Sequence, residues 1–467
     1  MGKNKIKGKD LKKIGFELEE ATSLALNIMA KHFKYHSKQE KIDILSALLE
    51  APKEYLEHET LAPIAQKLMM RHKLKPLNGL LDEAPEDCEV FGRKLIDKTA
   101  FHQINVASRL PVARASALMP DAHAGYGLPI GGVLATENAV IPYGVGVDIG
   151  CRMALSVFEA PDSYLERHRS PLKKALLDST FFGMGQRCPK PMDHEVMHDP
   201  AFTDTPLLRH LKDKAYKQLG TSGSGNHFVD IGALQLHDGN PLNLPAGKYL
   251  GLLSHSGSRG MGASIAKYYT DLALRECRLP AEARYLAWLA MDTDPGREYW
   301  KAMNLAGDYA KACHDQIHMR MAKAIGMKPL ATVENHHNFA WKTKVDGKEM
   351  IVHRKGATPA AKGELGIIPG SMTAPAYLVE GRGNRKSLFS ASHGAGRLLS
   401  RKAASEATTM HELRKSLRKQ GVSLIGGGTD EAPLAYKPIA DVMDAQQDLV
   451  DIFGIFEPKI VRMDEGK

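Results

Sequence analysis

The stretch Met119–Cys151, MPDAHAGYGLPIGGVLATENAVIPYGVGVDIGC, constrains this chain more than any other. It carries Gly125, Gly127, Gly131, Gly132, Gly144, Gly146 and Gly150, and it ends on Asp148 and Cys151, three residues apart. Glycine lets the backbone take positive φ and come close to a ligand. An Asp and a Cys together offer a metal one hard oxygen and one soft sulfur. The same composition also suits a glycine-rich pair of core strands with a buried thiol. The rest of the chain has to decide between these readings.

At 467 residues the chain is long enough for a large core and more than one folding unit. Its longest apolar runs, such as Tyr249–Leu253, are too short to span a bilayer. The basic N-terminus MGKNKIKGKDLKKIG is followed by no apolar run of the kind a secretory leader needs. The five cysteines, Cys88, Cys151, Cys188, Cys277 and Cys313, form no CxxC pair. That pattern fits a reducing, cytoplasmic setting in which a special Cys acts as ligand or nucleophile. A net charge of +9 favours a polyanionic partner. Aromatic residues are only 6% of the chain, so no base-stacking platform is advertised.

Residues 1–90 read as a small helical unit. Ile14, Leu18, Ala21, Ala25, Ile28 and Met29 follow a helical period from Lys12 to Phe33. Further apolar sets fall at Ile42, Leu45, Leu48 and Leu49, and at Leu61, Ile64, Leu68 and Met69. Lys3, Lys5, Lys7, Lys9, Lys12 and Lys13 give the unit a basic surface, read as a solvated tail. The Pro- and acid-rich stretch 76–89 is a plausible boundary. Beyond it, residues 91–467 read as an α+β domain built on a mixed sheet. Strands are expected around Thr332–Val333, Met350–Val352, Gly366–Ile368 and Ser423–Ile425. Helices are expected over Ala263–Cys277, Trp300–Ile325 and Arg397–Gln420.

Several short segments share glycine, small hydroxyls and a His or Arg. They are GTSGSGNHF (220–228), SHSGSRGMG (254–262), ENHHNFAW (334–341), VHRKGAT (352–358), IIPGSM (367–372) and SHGAGR (392–397). Loops of this kind turn consecutive backbone N–H groups toward an anion. Arg259 and Arg397 could each clamp a phosphate through two parallel N–H bonds. His227, His255 and His337 sit where strand-like runs meet such loops. With Asp148 and Cys151 they make a mixed N, O and S donor set, suited to Mn, Zn or Fe. It is enough for one site, or for two that share Cys151. His314 and His318 are four apart, but Met303, Ala306, Ala310, Cys313, Ile317 and Met321 mark an ordinary amphipathic helix there. His393, at the head of the expected Arg397–Gln420 helix, is either a helix cap or a nucleophile toward phosphorus, with the helix N-terminus behind it.

Taken together, MPDAHAGYGLPIGG, VGVDIGC, GTSGSGNHF, HSGSRGMG, HHN, IIPGSM, HGAGR and PLAYKPIADVMDAQQDLV resemble, in order, the blocks of the RtcB family of RNA ligases, over about residues 100–463. The resemblance implies an RtcB-like fold and a GTP- and Mn(II)-dependent enzyme. Such an enzyme joins an RNA 3′-phosphate or 2′,3′-cyclic phosphate to a 5′-hydroxyl. It implies that His393 becomes guanylylated, and that Asp148, Cys151, His227, His255 and His337 hold two Mn(II) ions with Cys151 between them. It implies nucleotide contacts from Asn226, His227, Phe228, Val229, Asp230, Arg259, His337, Asn338, Pro369, Gly370, Ser371, Met372, His393, Gly394, Ala395, Gly396 and Arg397. Arg259 is expected near the RNA phosphate, and His123 is read as shaping its loop. Three departures fall on the nucleotide side. Asp230 stands where the family has Glu, Ala376 replaces a frequent Ser, and the C-terminal Lys has only Lys467 as a counterpart. The other functions in view are an end-processing enzyme that does not ligate and a non-catalytic RNA-binding factor.

Overall fold

The computed structural model describes residues 5–16, 19–71, 78–86 and 88–465. Lys3, Leu18, Pro76 and Lys467 lie outside the described residues. The chain divides into two compact units, residues 1–76 and 77–467.

In the first unit the expected run Lys12–Phe33 is two helices, Gly8–Lys13 and Glu19–His32. The break has a local cause. Gly15 takes φ +98°, and the Phe16 N–H returns to the Leu11 carbonyl at 3.0 Å, a C-terminal helix stop that only glycine accommodates easily. The helical period is still used: Ala21, Ala25 and Met29 are fully buried, packed with Leu11, Phe16, Leu45, Leu48, Ile64 and Leu68. The helix Lys38–Glu50 opens with a capping box, in which Ser37 and Glu40 each accept the other's backbone N–H.

The second unit is a mixed α+β structure. Its main sheet runs in the order Leu365–Pro369, Ala376–Gly381, Val450–Met463, Phe228–Leu236, Gly247–Ser256, Arg152–Phe158, Ala331–His336, with every neighbouring pair antiparallel. Ser423–Ile425 adds a parallel strand beside Val450–Met463. The two ends of this order meet through one side chain. Asn335 Oδ1 accepts the Ile367 N–H at 2.9 Å, and its Nδ2 donates to Thr358 Oγ1 at 2.6 Å and to the Ile367 carbonyl at 3.4 Å. A buried amide thus satisfies backbone groups that a sheet edge leaves open. Arg152–Phe158, flanked by Gly247–Ser256 and Ala331–His336, is buried along its whole length, as a strand covered on both faces must be.

A second sheet carries Glu89–Val90, Ala113–Tyr126, Leu128–Thr136, Lys348–Lys355 and Asn338–Val345 in that order. The helix Asp294–Ile325 buries its apolar stripe, including Met303, Ala306, Ala310, Cys313, Ile317 and Met321. No helix among the described residues is long and apolar enough to cross a membrane.

The expected helix Arg397–Gln420 is absent as such. Arg397 lies in an extended bridge with Tyr436, and two short helices follow, Arg401–Ala407 and Met410–Lys419. Ser400 caps the first and Thr409 the second, each accepting a backbone N–H in its helix's first turn, so the hydroxyls fix both starts. The next helix along the chain after His393 begins only at Arg401.

Candidate active site

Strand direction gathers the donor residues. Cys151 and His227 immediately precede the strands Arg152–Phe158 and Phe228–Leu236. His255 and His337 lie at the far ends of Gly247–Ser256 and Ala331–His336. Antiparallel neighbours bring the start of one strand beside the end of the next, so all four fall at one edge of the sheet. The registers Met153↔His255 and Phe228↔His255 set the match.

The distances define two triads. Cys151 Sγ lies 3.1 Å from His255 Nε2, which lies 3.3 Å from His337 Nε2. Cys151 Sγ also lies 3.5 Å from His227 Nε2, which lies 3.0 Å from Asp148 Oδ2. Within each triad the donor atoms are all within 4.8 Å of one another, and Cys151 belongs to both. His255 Nδ1 faces the Asn226 carbonyl at 3.0 Å, which sets Nδ1 as the donor and leaves the Nε2 lone pair toward the cluster. Burial lowers the pKa of His255 to about 3 and that of His337 far below its usual range, so both rings are neutral, the form that binds a metal. Removal from water opposes ionisation of Asp148, but the hydrogen bond and charge of His227 outweigh it and hold the carboxyl below its usual range. Burial, with the adjoining Asp148, pushes the Cys151 thiol well up, a cost that coordination to a cation removes. Space is reserved here as well: a Cβ at Gly257 would sit 2.1 Å from Asp148 Oδ1. The donor set and its crowding fit a pair of thiolate-sharing transition-metal ions.

Beside the cluster lies a cavity of about 340 Å³, a size suited to a small-molecule ligand. Asn226, Phe228, Asp230, Pro369, Gly370, Ser371, Met372 and the run His393–Arg397 line it, together with His255 and His337. Phe228 and Asp230 alternate along their strand and face the cavity, whereas Val229 between them is fully buried against Phe158 and Leu250. Val229, expected at the nucleotide, does not line the cavity. Burial raises the Asp230 carboxyl pKa well above its usual range, and its Oδ1 has no hydrogen-bond partner among the described residues.

Other expected nucleotide contacts are committed elsewhere. Asn338 does not line the cavity: its Oδ1 accepts the Gly356 N–H at 2.8 Å and its Nδ2 reaches the Asp148 carbonyl at 3.4 Å. Arg259 holds two loops, through Thr221 Oγ1 at 3.1 Å and the Gly183 carbonyl at 2.6 Å. Arg397 lines the cavity but is not a free phosphate clamp. Its Nε donates to the Leu399 carbonyl, Nη1 to Glu431 and Tyr436, and Nη2 to the Asp430 carbonyl. His314 and His318 join neither triad; both bond the Ser254 hydroxyl, tying the long helix to the sheet.

His393 stands next to the metal-type cluster, its ring centroid 5.0 Å from that of His337. Its Nδ1 lies 2.6 Å from Asp121 Oδ2, which also accepts the His393 backbone N–H at 3.1 Å. Burial opposes the Asp121 charge, but the bond and charge of His393, with the charge of Lys437, hold the carboxyl below its usual range. The carboxylate therefore accepts a hydrogen bond from Nδ1–H and leaves the Nε2 lone pair free. Sequence reasoning passed over both Asp121 and Lys437. The signals were an acid within the glycine-rich stretch and a lysine in the block PLAYKPIAD. A bulge aims the carboxylate: Leu118 pairs with Gly132 and His123 with Ile130, so residues 119–122 loop out of the ladder. Lys437 fixes that loop through the Pro120 and Ala122 carbonyls. His123 lines the cavity as well, bonded through Nδ1 to the Asp121 carbonyl, and burial lowers its pKa to about 4.

The family described as tRNA-splicing ligase RtcB matches residues 103–206 and 200–464. The chain belongs to the RtcB family. The RNA-splicing ligase RtcB of Escherichia coli (strain K12) is 33% identical over 378 residues, covering 75% of this chain and 90% of that protein. That of Mycobacterium tuberculosis is 31% identical over 409 residues, covering 73% and 94%. The tRNA-splicing ligase RtcB of Thermococcus kodakarensis is 28% identical over 427 residues, covering 76% and 89%. The RtcB match spans both donor triads, the cavity and the Asp121–His393 pair, and the first helical unit lies ahead of it.

Proposed function

We propose that the chain is a cytoplasmic, GTP-dependent RNA ligase that joins 3′-phosphate or 2′,3′-cyclic phosphate ends to 5′-hydroxyl ends. The observation that carries this reading is the position of His393. Its Nδ1 is held by Asp121, and its ring lies against His337 at the border of two triads that share Cys151.

His393 Nε2 attacks the α-phosphorus of GTP, the N–P bond forms, and the bond to the leaving pyrophosphate breaks. Asp121 stabilises the positive charge that develops on the imidazole and keeps the ring in register. The guanylyl group then passes to the RNA 3′-phosphate, freeing His393. The 5′-hydroxyl attacks the activated phosphate and GMP leaves. A cyclic phosphate is first opened to the 3′-phosphate. Asp148, Cys151, His227, His255 and His337 would hold two Mn(II) ions, which supply charge neutralisation of the phosphates and orientation of attacking and leaving oxygens. Pro369–Met372 and Gly394–Gly396, which line the cavity together with Phe228 and Asp230, would border the nucleotide.

The test is covalent labelling with α-labelled GTP and Mn(II), followed by ligation of an RNA pair bearing 3′-phosphate and 5′-hydroxyl ends. Wild type forms the adduct and the joined product. His393→Ala forms neither while retaining its metal. An adduct on His393→Ala would refute the assignment, and an adduct without joined product would make the chain an end-processing enzyme.

A further inference from the structure

Three tyrosines remote in sequence, Tyr126, Tyr143 and Tyr285, form one surface cluster beside the site. Tyr285 lies 4.9 Å from Tyr143 and 6.0 Å from Tyr126, centroid to centroid. Tyr126 is 67% exposed and Tyr285 36%. Two basic side chains adjoin the rings, Arg284 and the buried Lys355. The Arg284 guanidinium is 5.7 Å from the Tyr285 centroid, and Lys355 Nζ is 4.9 Å from that of Tyr143. The acid on the same short helix, Glu282, faces His102 at 3.7 Å.

The cluster is rigidly held. Tyr126 ends one arm of the hairpin Ala113–Tyr126/Leu128–Thr136. Gln103 grips Gly125 with both a donated and an accepted hydrogen bond. Lys355 Nζ binds the carbonyls of Tyr126 and Leu128 at 2.6 and 3.1 Å. A Cβ at Gly127 would come within 3.0 Å of the Tyr285 carbonyl oxygen, so the turn packs directly on that residue. A large exposed tyrosine on a clamped turn loses little freedom on binding.

The cluster is also tied to the site by short lengths of chain. His123, which lines the cavity, is three residues from Tyr126, at most about 11 Å along an extended chain. Tyr143 is five residues before Asp148, at most about 18 Å. Those spans correspond to a few nucleotides of single strand.

We propose that Tyr126, Tyr143 and Tyr285 form a stacking platform for unpaired nucleobases of the RNA strand whose end enters the site, with Arg284 beside its backbone. This rests on the RNA-ligase reading above. Stacking on aromatic faces tolerates any base, as an enzyme that joins ends of varied sequence requires.

The experiment is fluorescence anisotropy of the full-length protein with Mn(II) and short single-stranded RNAs, one ending in a 3′-phosphate and one beginning with a 5′-hydroxyl. Each RNA is also made abasic at the nucleotides nearest that end. Tyr126→Ala and Tyr285→Ala should weaken binding of at least one strand about tenfold to a hundredfold, and the KM of ligation should rise with it. Tyr126→Phe should bind as wild type does, and abasic RNA should lose most of the difference between wild type and Tyr126→Ala. Thermal melting checks that both alanine variants fold; Tyr126, being largely exposed, decides if Tyr285→Ala does not. Unchanged binding of both strands by Tyr126→Ala, failure of Phe to substitute, or full-strength binding of abasic RNA would overturn the platform. So would a change of oligomeric state in Tyr126→Ala with unchanged RNA affinity, which would make the cluster a protein interface. A wild type that binds RNA without forming a guanylyl adduct refutes the ligase chemistry and leaves the platform to be judged by the binding comparison. A wild type that binds no RNA overturns both.

Discussion

Asp121 Oδ2 accepts two hydrogen bonds from His393, from Nδ1 at 2.6 Å and from the backbone N–H at 3.1 Å. The double contact fixes both the ring's tautomer and its place in the loop. Asp121→Asn keeps the shape but removes the charge that supports the imidazolium. The rate of adduct formation with GTP should fall on the order of a hundredfold or more, while metal content and Tm stay near wild type. A wild-type adduct rate would show that His393 needs no such support.

Cys151 is common to both triads, so its loss touches two sites at once. Cys151→Ala should lower bound Mn(II), measured by atomic absorption after gel filtration, for both ions rather than one. His337→Ala, which belongs to a single triad, should retain more metal. Equal metal content in Cys151→Ala and wild type would remove the sulfur from the coordination set.

Asp230 should show opposite effects on stability and function. Burial raises its folded-state pKa, so above its unfolded pKa near 3.8 the folded state binds the extra proton, and stability falls as pH rises until the folded carboxyl ionises. Asp230→Asn removes that cost, and its Tm at pH 7.5 should equal or exceed that of wild type. The carboxylate's capacity to accept from two neighbouring purine donors is lost, and KM for GTP should rise about tenfold or more. A lower Tm with unchanged KM would make Asp230 a purely structural residue.

Asn335 closes the main sheet by satisfying both the N–H and the carbonyl of Ile367. Asn335→Ala leaves buried backbone groups without partners and should destabilise the second unit by about 2–4 kcal/mol, read from chemical denaturation. A loss below about 0.5 kcal/mol would show that the sheet ends are held by other contacts.

His353 gives a pH signature away from the metal-type cluster. Its Nε2 accepts the Ile141 N–H at 2.9 Å, and burial lowers its pKa to about 4. The unfolded chain takes up this proton near pH 6.5, the folded chain only near 4. Between those values the unfolded state binds more protons, so stability rises with pH and is lost on acidification, by up to about 1.4 kcal/mol per pH unit for this residue. Melts from pH 7 to 4.5 should flatten measurably in His353→Gln. An unchanged slope would mean that the imidazole stays neutral in both states or charges in both.

Several features were readable from the residues because they depend on local chemistry. The donors Asp148, Cys151, His227, His255 and His337 stood out as N, O and S groups beside glycine loops, and the apolar stripe of the helix Asp294–Ile325 marked His314 and His318 as packing residues. The ordered blocks around them carried the family resemblance. By itself, then, the sequence determined which side chains were available for chemistry, while the helix breaks at Gly15 and before Ser400 were not read from it. Only the tertiary structure decided which groups meet. Antiparallel register brought His255 beside Cys151, and strand alternation turned Val229 away from the cavity. A bulge aimed Asp121 at His393, 272 residues away. Arg397, which reads as a phosphate clamp, is taken up by Glu431 and Tyr436, and three scattered tyrosines become one surface. These relations are long-range: they follow from strand pairing and from the satisfaction of buried polar groups, to which no short stretch of sequence is sensitive.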